Sequence, residues 1–189
     1  MKKYFALAAA LAFVPGAAMA QDSDAKLDGV RAEARIGYET PTVSDSGSIY
    51  KIGSAVSYGG EIGFDAKLGK SVQAGPYAVY EFSSVSLCSG GACLNEQGNL
   101  GAGLRLGFVA SSKVVVYAKA GYARISFKAS AGGLSATDSK DGVQGALGVD
   151  VNLSKHVYLM AELNYADYGK FAGVNLARRH VAAGVGFRF

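Results

Sequence analysis

The chain is poor in most of what an enzyme or a membrane helix needs. After the first twenty residues there is no apolar run of about 18 residues, which excludes a bilayer-spanning helix. There is no tryptophan, and there are only two histidines, His156 and His180, and two cysteines, Cys88 and Cys93. So few soft ligands leave no metal constellation. A nucleophile, base and carboxylate within reach of one another are also missing locally, since no serine flanks His180 at 178 or 182. No glycine-rich phosphate loop follows a strand and opens a helix. Setting aside Lys2 and Lys3 leaves 17 basic against 15 acidic residues, a formal charge of +2, which gives no reason to expect nucleic acid as a partner. No cofactor is implied.

Residues 1–20, "MKKYFALAAALAFVPGAAMA", read as a cleaved secretory signal peptide. Lys2 and Lys3 form the basic start, Tyr4 to Val14 the apolar stretch, and Ala18-Met19-Ala20 the small-residue cleavage site. Residues 21–189 then form one domain. Export passes through an oxidising compartment, so Cys88 and Cys93 in "LCSGGACL" are expected to pair as a disulfide.

What the chain does have is alternation. Eight segments of period two run over 29–39, 56–68, 72–82, 99–109, 114–127, 142–153, 157–168 and the closing stretch to 189. In the first, Val30, Ala32, Ala34, Ile36 and Tyr38 oppose Arg31, Glu33, Arg35 and Gly37. In the last, Val181, Ala183, Val185, Phe187 and Phe189 oppose His180, Gly184, Gly186 and Arg188. Short turns ("GKS", "ASSK", "SKH") alternate with longer connections at 40–54, 83–98, 129–141 and 169–176. Lys70, Lys113 and Lys155 recur 43 and 42 residues apart, one per short turn, a period that a hairpin plus a long connection explains. The fold class is all-β: an eight-stranded antiparallel up-and-down barrel.

Alternation does not say which face points inward. A lipocalin-like barrel buries the apolar face and a transmembrane one turns it to lipid. Three features favour the transmembrane β-barrel. Aromatic residues gather at the ends of the apolar face as two girdles: Tyr38, Tyr58, Tyr80, Phe82, Tyr122 and Tyr165 beside the long connections, with Phe108, Phe187 and Phe189 at the short turns. The other face carries balanced charge: Arg31, Glu33, Arg35, Glu61, Asp65, Lys67, Glu81, Arg105, Lys119, Asp150, Glu162 and Arg188. Unequal connections, with strands of roughly 9–11 residues or more, complete the pattern.

With its alternating strands, "VYAKAGYARISF" (116–127) and the closing "GVGFRF", the mature chain resembles the small outer-membrane β-barrels of Gram-negative bacteria, the OmpA-like and opacity-type barrels. The resemblance implies a C-terminal signal read by the outer-membrane assembly machinery, carried here by Gly186, Phe187 and Phe189. It implies short turns and N-terminus in the periplasm and long connections outside. No peptidoglycan-binding domain follows the barrel in this sequence, so no cell-wall tether is implied. Eight strands leave an interior that side chains fill. The expected function is non-enzymatic, with a plugged lumen and surface-exposed connections for envelope structure or contact with a surface ligand. A narrow passive pore is the alternative, and a lipid-modifying enzyme is further off. Outer-membrane lipid and lipopolysaccharide are the expected surroundings, with Arg124, Lys128, Arg178 and Arg179 placed at the outer rim to meet phosphates. His180 is expected as an interior hydrogen-bonding residue.

Overall fold

Residues whose side chains alternate between two environments form strands because the pleat sends successive Cβ atoms to opposite faces. A computed structural model of the chain describes residues 26–45, 48–171 and 173–189, and the signal peptide expected at 1–20 lies outside the described residues. Ten strands follow in order: β1 (Gly29–Asp45), β2 (Ser48–Lys51), β3 (Ala55–Lys67), β4 (Val72–Ser83), β5 (Ser86–Ser89), β6 (Ala92–Val109), β7 (Val114–Ala131), β8 (Leu134–Asn152), β9 (Val157–Phe171) and β10 (Val174–Arg188). All pairings are antiparallel. β10 closes on β1 from Arg31↔Arg188 to Ser44↔Asn175, so eight strands form a closed barrel. β2 and β5 are additions, pairing with the upper ends of β1 and β6.

The long connections differ from the expectation of loops. Most of 83–98 and 129–141 continues as strand, and two hairpins close on Gly90-Gly91 (φ 60° and 81°) and Gly132-Gly133 (φ 56° and 82°). Positive φ at both central residues matches the twist of the strands they join and is strain-free only for glycine. Around the two hairpin tips, 86–92 and 131–138, residues on both faces are exposed, so no apolar alternation is selected there, while the backbone ladder continues regardless. β7 alone has 18 residues, about 59 Å of strand at roughly 3.3 Å per residue, against an apolar band about 25 Å tall. Even tilted, the barrel wall therefore stands well clear of a bilayer on the hairpin side. Cys88 and Cys93 sit directly opposite each other on β5 and β6 and are disulfide-bonded.

The burial pattern is inside-out relative to a water-soluble protein. Ile36 is 60% exposed and Leu104 68%, whereas Arg31, Asp65 and Arg188 are 0% exposed. Apolar residues cover the outside and charged residues fill the lumen, the arrangement that lipid outside and a polar core inside require.

Candidate functional site

Among the described residues, chemistry-bearing side chains converge in the lumen. Inward residues of all eight barrel strands meet there, and the sequence makes room with inward glycines. A Cβ on Gly186 would lie 2.1 Å from the Tyr158 ring, so the ring occupies the place where β10 has no side chain.

From the short-turn end upward the lumen is layered. In the lowest layer Arg105 bridges Asp65 (2.5 Å) and Asp150 (2.6 Å), and Arg188 pairs with Asp150 at 3.0 Å. Arg105 lies 4.0 Å over the Tyr117 ring and Arg188 4.5 Å over Tyr158. Above it Arg31 contacts Glu33 (2.6 Å) and Glu61 (2.7 Å), while the Tyr158 hydroxyl donates to Glu33 at 2.8 Å. Arg35 pairs with Glu61 and, at 2.5 Å, with Glu162. Lys119 joins the same two carboxylates at 2.7 and 2.6 Å, and the Tyr117 hydroxyl donates to Glu162 at 3.0 Å. These two layers hold five bases (Arg31, Arg35, Arg105, Lys119, Arg188) and five acids (Glu33, Glu61, Asp65, Asp150, Glu162), all buried. Equal numbers at contact distance let a low-dielectric interior carry ten ionised groups, since each has an opposite charge in reach.

The third layer is not balanced. Arg178 faces Glu39 and Glu81 (3.0 Å), and Glu96 is 2% exposed with no hydrogen bond to either carboxylate oxygen among the described residues. Here Ser57 Oγ lies 2.9 Å from His180 Nε2, and His180 Nδ1 lies 3.5 Å from Glu81. A serine, a histidine and a carboxylate in that order resemble a catalytic triad, but a triad works only where substrate can reach the nucleophile. Ser57 is fully buried, and above this layer lies an apolar cluster of Ala123, Ile125, Phe127, Ala166, Tyr168 and Leu176, flanked by Val43, Ile52 and Leu94.

The expected interior residues sort as follows. Arg31, Glu33, Arg35, Glu61, Asp65, Glu81, Arg105, Lys119, Asp150, Glu162 and Arg188 are buried in the lumen. Lys67 is not among them. It has the inward parity, but β3 ends there, and its side chain is 53% exposed at the mouth, with the ammonium 2.9 Å from Asp28. That hydrogen bond holds the Asp28 carboxyl below the usual carboxylate range. Arg178, expected at the outer rim, is buried in the lumen instead, because it shares its parity with His180. Arg124 and Arg179 point outward, and Arg124 lies 3.7 Å from Asp141. Tyr38, Tyr58, Tyr80, Phe82, Tyr122 and Tyr165 are outward and exposed toward the hairpin end, as are Phe108, Phe187 and Phe189 at the short-turn end. Phe187 packs against Phe189 (4.9 Å between ring centroids) and stacks on His156.

Sequence reasoning did not single out Ser57, Glu39 or Glu96 as lumen residues. Parity alone marks Ser57, which is an even number of residues below Glu61 on one strand. Its pairing with His180 joins β3 to β10 across β1, and no local motif reports that.

A chain with an apolar exterior around a charged lumen, closed by β1 on β10, is matched by one domain family over residues 6–189, described as "Outer membrane protein beta-barrel domain". The chain belongs to that outer-membrane β-barrel family. No curated protein sequence matches it. Solved structures similar to it include Ail, the attachment invasion locus protein of Yersinia pestis, at 18% identity over 85% of this chain and 99% of that one, with a TM-score of 0.58. The Ail structure was determined in complex with the heparin analogue sucrose octasulfate. Neisserial surface protein A is similar at 19% identity, covering 84% of this chain and 97% of that one, with a TM-score of 0.57. At these identities the likeness speaks to the fold, and the family places the chain in the outer membrane.

Proposed function

We propose that this outer-membrane β-barrel is a non-enzymatic, plugged barrel whose tall hairpin wall makes contacts at the cell surface. The observation that carries this is the seal: ion-paired side chains fill the lumen over two layers, and the Ile125, Phe127 and Leu176 cluster closes it above them. Water and ions crossing it would have to break charge pairs and wet an apolar plug. The sealing of Ser57 argues against hydrolysis at His180. On this reading the short turns and N-terminus face the periplasm and the hairpins the medium, because the tall wall is on the hairpin side. The signal peptide is removed after Ala20. Gly186, Phe187 and Phe189 present the terminal strand to the assembly machinery, and the Tyr and Phe rows mark the two lipid boundaries. Arg124 and Lys128 lie outward above the tyrosine row and Arg179 lies outward beside Tyr165, where lipopolysaccharide phosphates would be. Ail's heparin analogue makes a sulfated polyanion the ligand class to try first against the hairpin wall.

Single-channel recording in a planar bilayer tests the plug. Protein shown to be inserted should produce no discrete steps. Reproducible unitary steps would replace this reading with that of a narrow pore lined by the charged layers.

A further inference from the structure

The recurrent lysines of the short turns have no role in the plug. β3–β4, β6–β7 and β8–β9 turn in closely similar ways: Leu68 donates to the Val72 carbonyl (2.9 Å), Ala110 to Val114 (3.0 Å) and Leu153 to Val157 (2.9 Å). Each closed turn lifts one lysine, Lys70, Lys113 or Lys155, out of the strand end, and all three are exposed. No ion pair involves them among the described residues. Among the described residues the acids of this end are already engaged: Asp28 by Lys67, and Asp65 and Asp150 by Arg105 and Arg188 inside the lumen. Phe189 lies beside the third turn, since the Arg188 amide donates to the His156 carbonyl and the Phe189 amide to Val30, but no ion pair joins its carboxylate to any of the three lysines among the described residues. A fourth lysine joins the third turn, since the Lys26 amide donates to the Lys155 carbonyl at 3.0 Å. His156 adds no anion, as its Nδ1 bonds the Arg188 carbonyl.

The outward neighbours of these turns are apolar and exposed: Leu68, Val72, Phe108, Leu153 and Phe187. Each ammonium is therefore anchored one or two residues from the edge of the lipid-facing band. A lysine stem can lie along that edge while its head reaches the headgroup plane. Uncompensated cations at that depth attract anionic headgroups. We infer that Lys70, Lys113 and Lys155 form a collar that binds anionic phospholipid headgroups in the leaflet the short turns touch. The collar rests on the membrane-spanning reading but not on which compartment the turns face.

The test is electron spin resonance of spin-labelled lipids with the folded protein in vesicles. Motionally restricted lipid of any headgroup reports a barrel seated in the bilayer. The ratio of restricted phosphatidylglycerol to phosphatidylcholine reports the collar. The wild type should favour phosphatidylglycerol by about fivefold, the factor one well-placed lysine supplies at an anionic surface. Lys70→Gln/Lys113→Gln/Lys155→Gln should bring the ratio near unity with restricted phosphatidylcholine unchanged, and so should 1 M salt. Arg124→Gln/Lys128→Gln/Arg179→Gln, at the opposite rim, should leave the preference in place. The inference is overturned if the wild type shows no preference, or if the turn variant keeps it. Loss in the opposite-rim variant instead, or displacement by inorganic phosphate at constant ionic strength, which would indicate a soluble-anion site, also overturns it.

Discussion

Glu162 is the carboxylate through which the charged lumen can be tested most directly. It is 4% exposed and accepts from Arg35 at 2.5 Å, Lys119 at 2.6 Å and Tyr117 at 3.0 Å. Glu162→Gln keeps the volume and removes one negative charge, leaving Lys119 with Glu61 alone and Arg35 with Glu61 and the longer contacts to Glu81 (3.4 Å) and Glu33 (3.8 Å). The two lower layers then hold five bases against four acids. Removing one partner of a buried pair costs about 3–5 kcal/mol, because the other charge stays buried and uncompensated. That amounts to a loss of roughly two to three and a half orders of magnitude in the folding equilibrium. The assay is urea unfolding and refolding in lipid vesicles, followed by far-ultraviolet circular dichroism because the chain has no tryptophan. Adding Lys119→Met restores equal numbers, so the double variant should recover a substantial part of the loss, with a coupling above about 1 kcal/mol. A loss below about 1 kcal/mol for Glu162→Gln, or additive effects in the double variant, would refute the view that local charge balance holds the lumen together.

Three smaller expectations follow from other regions. Gly186→Ala puts a methyl where the Tyr158 ring lies and should destabilise by about 1–3 kcal/mol; Tyr158→Ala in the same chain should relieve that clash, and vesicle unfolding of both variants checks it. Cys88→Ser/Cys93→Ser opens a six-residue loop (sequence separation 5), worth about 2 kcal/mol by loop-closure entropy, and should raise protease cleavage between β5 and β6 without unfolding the barrel. The Asp28 carboxyl is depressed in the folded state, so its contribution is present above about pH 4 and is lost as pH falls through its lowered value. Because the pair is half exposed, Asp28→Asn should shift the urea midpoint only slightly at pH 7, by well under 1 kcal/mol, and by nothing near pH 2.

Strand positions and facing were legible because the period of two is strict wherever lipid covers one side. Ile36, Ile62, Leu104 and Leu163 could be assigned outward, and Arg31, Glu61 and Arg105 inward, from parity once the barrel was taken to be inside-out. The same rule fails at strand ends. Lys67 has inward parity but lies past the end of the lumen, and Arg178 has inward parity on a strand that extends further up than its apolar pattern suggests. Around the hairpin tips at 86–92 and 131–138 the rule loses its basis, since exposure on both faces removes the selection for alternation; hence 83–98 and 129–141 read as loops although they are largely strand.

The sequence by itself determined the eight barrel strands, the short turns between them, the disulfide pair and the inside-out character, because each is written in local spacing against a uniform solvent. Only the tertiary structure decided which charges pair. Barrel closure brings residues such as Arg35 and Glu162, 127 positions apart, to 2.5 Å, and sets Ser57 against His180 and the Ile125–Phe127 cluster across the lumen. Those contacts depend on strand stagger and on which side chain opposite is a glycine, and both are properties of the closed sheet rather than of any one strand.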